Sequence, residues 1–153
     1  MNTQSSQSHM EKWFLEMTAP NSPYCNKGIG AKFQPTFVSC DLQTKTVTLA
    51  YSVMDWQLNP HKSMHGGLTA TAIQFTMELL GLYFTNGKKV ALISAETAYQ
   101  KPITIGKTIH VTVKITAQTN QIFFHGGAYF ADTNSLASSA SGIFSLETDA
   151  ISQ

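Results

Sequence analysis

Residues 66–84, Gly-Gly-Leu-Thr-Ala-Thr-Ala-Ile-Gln-Phe-Thr-Met-Glu-Leu-Leu-Gly-Leu-Tyr-Phe, constrain the fold more than any other stretch. Written on a helix, its apolar residues Leu68, Ala70, Ala72, Ile73, Phe75, Met77, Leu79, Leu80 and Leu82 fall nearly all round the axis. A surface helix carries a polar stripe, so this one is expected to be enclosed by the rest of the chain. It stops before Asn86-Gly87, which suits a helix C-terminus. With Gln74 and Glu78 inside it, the segment is too short and too polar to span a bilayer, and no membrane partner is expected.

What can enclose such a helix is read from the flanks. Thr46–Val53 alternates cleanly, and with residues 36–40 before the polar turn Asp41–Lys45 it spells a hairpin. The strand-like pattern begins earlier, at Ile29, and runs through Ala31–Gln34 and Pro35. Beyond the helix come Val90–Tyr99, Lys107–Ala117, Ile122–Phe130 and Ala137–Leu146, separated by turn-rich junctions. Short connections imply antiparallel neighbours. Ahead of all this, Met10, Trp13, Phe14 and Met17 recur at helical spacing, predicting a short helix that ends before Pro20. Residues 21–28 read as a loop and residues 1–8 as a disordered tip. The expected architecture is therefore α+β: an antiparallel sheet wrapped around one long central helix, in a single domain over residues 9–150.

Composition narrows the function. Only 12% of the 153 residues are charged, about half the ~25% usual for soluble domains, which suggests surface buried against another subunit. All ten basic residues are Lys, so anionic groups must be held by Lys or by backbone amides. A net charge of +1 with no basic run gives no case for nucleic acid. Cys25 and Cys40 are too few and too isolated for a disulfide framework, which fits a reducing cytoplasm. No His, Cys, Asp and Glu spacing suggests a metal, and no cofactor is implied.

The chemistry concentrates where the loop Asn59-Pro60-His61-Lys62-Ser63-Met64-His65 enters the helix at Gly66-Gly67. Two glycines there leave bare N–H groups at the positive end of the helix dipole, able to hold a carbonyl oxygen. Gln74 and Glu78, four apart, share a helix face. Desolvation in an apolar enclosure would raise the Glu78 pKa, as a general base requires. Lys88, Lys89 and Lys101 could meet phosphates.

Three elements in order resemble the hotdog-fold acyl-CoA thioesterases, in the branch typified by the phenylacetate-pathway (PaaI-like) enzymes. They are Asn59 placed six residues before His65, the run His65 to Ala72, and residues 98–107, Ala-Tyr-Gln-Lys-Pro-Ile-Thr-Ile-Gly-Lys. The triplet His125-Gly126-Gly127 repeats the letters in a strand context with no helix after it, and reads as structural. The resemblance implies that the Gly66 amide binds a thioester carbonyl, His65 orients the loop, and Asn59 places substrate or water. A helix carboxylate nine residues after the His should act as base or nucleophile. Here that position is Gln74, and Glu78 could supply the carboxylate from one turn further, ~6 Å along the axis.

The first expectation is thus acyl-CoA hydrolysis, with Gly66 and Gly67 at the carbonyl, Asn59 and Gln74 positioning water and Glu78 taking its proton. The resemblance also implies a homodimer, or a homotetramer built as a dimer of dimers. In the dimer Asn59, His65 and Gly66 would face Gln74 and Glu78 of a second copy. The alternative is a non-catalytic acyl-CoA or acyl-lipid binding protein on the same scaffold, hydrolysis having been lost with Gln74. A hydratase or dehydratase ranks third, because such sites need a His poised for proton transfer at carbon. Phe75, Met77, Leu79, Leu82 and Phe84 suggest an apolar acyl chain or ring.

Overall fold

The computed structural model of the chain describes residues 6–146. Residues 1–5 of the expected tip and residues 147–150 at the expected domain end lie outside that span. The first helix, α1, covers Gln7–Thr18, starting inside the predicted tip because the Ser6 side chain caps it by accepting from the His9 N–H. Its Met10 and Phe14 are fully buried.

A second helix, α2 (Gly28–Phe33), stands where a strand was expected. The correction has a packing cause. A side chain on Gly30 would collide with the Tyr24 carbonyl, so this segment lies flat against the preceding loop. Gln34 then ends the helix in a left-handed conformation before Pro35. The hairpin follows as predicted, β1 (Thr36–Asp41) and β2 (Thr46–Ser52), its turn tied by the Thr44 N–H to Asp41 Oδ1 at 3.0 Å.

The central helix α3 spans Gly66–Phe84, the predicted bounds. After it come β3 (Val90–Tyr99), β4 (Thr108–Gln118), β5 (Gln121–Phe130) and β6 (Leu136–Leu146). All six strands form one antiparallel sheet in the order β1-β2-β4-β5-β6-β3. Here the rule of short connections fails once: β3 and β4 are not neighbours. Their connector crosses the end of the sheet, and β3 pairs with β6 instead.

The inner face of the sheet, including Val47, Leu49, Ile109, Val111, Val113, Ile122 and Phe124, buries against Ala72, Ile73, Met77 and Leu80 of α3. Gly142 on β6 leaves room for Met77, whose Sδ would sit 2.9 Å from a Cβ there. One polar link crosses this core, Tyr51 OH to Thr76 Oγ1 at 2.8 Å, and burial pushes the Tyr51 pKa up. A sheet wrapped round one long helix is the hotdog fold. Enclosure of the helix is incomplete, however: Gly67 and Glu78 are exposed and Thr71, Gln74 and Phe75 half-buried, a stripe along one side of α3.

Candidate functional site

Two connections build the site at the start of α3. The loop after β2 folds back on itself through a bridge between Leu58 and Met64, and Ser63 then bridges to Thr104 of the β3–β4 connector. The Met64 N–H donates to the Ile103 carbonyl at 2.7 Å, closing the seam. The crossover that sequence reasoning missed is therefore what brings residues 99–103 to the helix entrance.

His65 caps α3 twice over. Its carbonyl accepts from the N–H groups of Leu68 (2.9 Å) and Thr69 (3.0 Å), and its Nδ1 accepts from the Gly67 N–H at 3.1 Å. A ring nitrogen that accepts is unprotonated, so the proton of this imidazole sits on Nε2. The His65 N–H in turn donates to the Gln57 carbonyl at 2.7 Å. Of the first four N–H groups of α3 only that of Gly66 is left without a partner among the described residues. Gly66 is needed for close approach rather than for its backbone angles: a Cβ would lie 3.1 Å from Tyr99 Cζ. The Tyr99 hydroxyl donates to the Gly66 carbonyl at 2.6 Å and pins the first turn to β3.

Gly66, which carries that free N–H, is one of the residues lining a cleft of about 320 Å³, together with Asn59, Ser63, Met64, Thr69, Tyr99, Gln100, Lys101, Pro102, Ile103 and Ser138. Of the residues singled out in the sequence, Asn59, Gly66 and Lys101 meet there. The Asn59 side chain is occupied by its own loop. Its Oδ1 accepts from the N–H groups of His61 (2.9 Å) and Ser63 (3.1 Å), and its Nδ2 donates to Ser63 Oγ at 2.9 Å. Lys101 stands exposed at the rim. His65 and Gly67 are exposed and do not line the cleft; they act on it through the cap. Lys88 and Lys89 lie at the opposite end of α3, exposed beyond Asn86-Gly87.

Glu78 does not reach the cleft of its own chain. It stands twelve residues beyond Gly66, about 18 Å along the axis, exposed, and among the described residues without a hydrogen bond or ion pair. The protein around it pushes its carboxyl above the usual range by desolvation, with no base, lysine or donor to work through. The buried polar side chain beneath the His65 loop is an amide, Gln57, and the helix position one turn before Glu78 is another amide, Gln74. Among the described residues no Asp or Glu lines the cleft. Among the described residues no group of His, Cys, Asp and Glu could hold a metal ion. The expectation of acyl-CoA hydrolysis with Glu78 as base is overturned by this arrangement, and the expectation of an enzyme with it.

The predicted acyl-binding residues also need correction. Met77, Leu79 and Leu82 are buried in the core, and neither they nor Phe75 and Phe84 line the cleft. Sequence reasoning missed Thr69, Tyr99 and Ser138. Tyr99 carried a signal, the aromatic at the end of a strand before Gln-Lys-Pro. Ser138 carried none, since only the β3–β6 register places it opposite Tyr99.

No family model matches the chain, and no curated protein does. Solved structures do match. The PaaI protein of the E. coli phenylacetic acid degradation operon superposes with a TM-score of 0.77 at 17% identity, covering 94% of this chain and 97% of its own. Zebrafish thioesterase superfamily member 2 gives 0.74 at 17% identity, over 93% and 99%. The smu.793 protein of Streptococcus mutans, bound to acetyl CoA, gives 0.66 at 16% identity, over 74% and 88%. At such identities the likeness is one of architecture, and what the chain shares with all three is the hotdog fold.

Proposed function

We propose that this protein binds acyl thioesters of the coenzyme A type without hydrolysing them, holding the thioester carbonyl on the Gly66 N–H. The observation that carries the reading is that single open N–H, at the positive end of a 19-residue helix, on a residue that lines a cleft with no carboxylate among its described lining residues. A partial positive charge there suits a carbonyl oxygen. Water held nearby would find no group able to take its proton, because an amide cannot act as a base at neutral pH. The shared fold with a structure bound to acetyl CoA supports the ligand class, and Lys101 at the rim suits its phosphates.

Isothermal titration with acetyl-CoA, butyryl-CoA and free CoA, run beside a thiol-release assay, tests this. Saturable binding that favours the acyl forms, with thiol release at the uncatalysed rate, is expected. Tyr99→Phe, which frees the first turn of α3, should weaken acyl-CoA binding about tenfold, the loss of one hydrogen bond's worth of positioning. Enzyme-catalysed thiol release, or binding of CoA and acyl-CoA with equal affinity, would overturn the proposal.

A further inference from the structure

Two hydroxyls are buried in the wall of the cleft. Ser138, on the inner face of β6, is 1% exposed, and its Oγ has no hydrogen-bond partner among the described residues. Thr69, on the first turn of α3, is 2% exposed, and its Oγ1 reaches only the His65 carbonyl, at 3.5 Å. Burying a hydroxyl without a partner is unfavourable, and folded proteins rarely leave one so. The reason Ser138 has none is visible in the register. Its cross-strand neighbours are Ala128, which has no polar side-chain atom, and Tyr99, whose hydroxyl is held at the Gly66 carbonyl. The neighbouring Ala137 carbonyl is taken by the N–H groups of Gln100 and Lys101. Among the described residues no group completes this hydroxyl, which leaves it open to a bound ligand.

We infer that the cleft selects short acyl groups bearing a neutral hydroxyl, with Ser138 as the residue that recognises it and Thr69 as its neighbour in the wall. The inference rests on reading the cleft as an acyl-thioester site. A short group suits the size of the cleft: about 320 Å³ is near the lower end of the ~300–1,000 Å³ usual for small-molecule sites. Buried Met64 and Ile103 close the inner wall. A hydroxyl is favoured over a carboxylate because the sole cation among the lining residues, Lys101, is exposed at the rim. An acid group carried inwards to Ser138 would lose its hydration with no charge to replace it. A hydroxyl can donate to Ser138 or accept from it, whichever rotamer the serine takes.

The test is a comparison of ligands of equal chain length on the wild-type protein: butyryl-CoA, each enantiomer of 3-hydroxybutyryl-CoA, and succinyl-CoA. One 3-hydroxybutyryl enantiomer should bind about tenfold tighter than butyryl-CoA, the gain from pairing one orphaned hydroxyl. In Ser138→Ala that preference should fall below about threefold. Equal binding of butyryl-CoA and both hydroxy forms overturns the inference and leaves the acyl-thioester reading standing, and so does a preference for succinyl-CoA. Failure of every acyl-CoA to bind overturns that reading and the inference together. The wild-type comparison decides the matter even where the variant does not fold.

Discussion

Glu78 is ionisable, helical and one turn beyond Gln74, yet its carboxyl meets no base, acid or lysine among the described residues. Its raised pKa has a single cause, desolvation, and that fixes the sign of its effect on stability. The fold prefers the protonated form. Stability is fully present below the unfolded-state pKa and is lost as pH rises through the higher folded-state value. Glu78→Gln removes the penalty, so the variant should unfold at a higher urea concentration than wild type at pH 7. The gap should close near pH 4, where the unfolded carboxyl is about half protonated or more. A gap of the same size at both pH values would mean that the substitution acts through packing rather than charge. The sequence could show that a carboxylate was present one turn late. It could not show that neither His65 nor any lysine would be beside it, because that depends on where the loop and the connector cross.

At the scale of elements, the sequence was most legible where a repeating pattern meets a flat or cylindrical surface. The alternation Ile109, Val111, Val113, Ile115 faces α3 as a strand must, and the bounds of α3 are those its apolar run and Asn86-Gly87 dictate. Two things escaped. The β3–β4 crossover has no local signature, because a Pro- and Gly-bearing connector of this length suits a hairpin as well as a crossing. The α2 helix escaped because its cause is tertiary: six residues, two of them glycine, are poor helix formers in isolation. Gly30→Ala tests that account. Its Cβ would meet the Tyr24 carbonyl, which is backbone and cannot swing away. The variant should lose about 1–3 kcal/mol in urea unfolding, the usual cost of overpacking. Gly28→Ala, with open space around its Cβ but a φ of +63°, should lose less, about 1 kcal/mol for an L-residue in the left-handed region. If the two lose equally, contact with Tyr24 is not what shapes α2.

For the whole molecule, the two edges of the sheet are treated differently. The β1 edge is short, and α1 covers it: Gln7 Nε2 donates to the Cys40 carbonyl at 2.7 Å, and Gln7 Oε1 accepts from the Leu42 N–H at 2.8 Å. The β3 edge is ten residues long, with one charged side chain, Glu96, and, among the described residues, no element over it. Leu92 and Ile93 are 45% and 50% exposed there, and Tyr99 is 54% exposed at its end. Proteins that stay monomeric blunt such edges with lysines, prolines or a covering element, and β3 has none of these along its length. A chain with 12% charged residues is poorly equipped to keep an edge like this in water. Wild type should therefore sediment as a dimer or larger, and Leu92→Lys with Ile93→Lys should shift it to monomer with its circular dichroism spectrum intact. Ligand titration of that monomer then separates two arrangements of the cleft. Retained affinity means that Gly66, Tyr99 and Ser138 of one chain suffice. Loss of affinity by more than about tenfold means that a second chain supplies part of the wall, with Gln74 on the open stripe of α3 as its first candidate. A wild-type protein that sediments as a monomer would show that the β3 edge is protected by some means other than pairing.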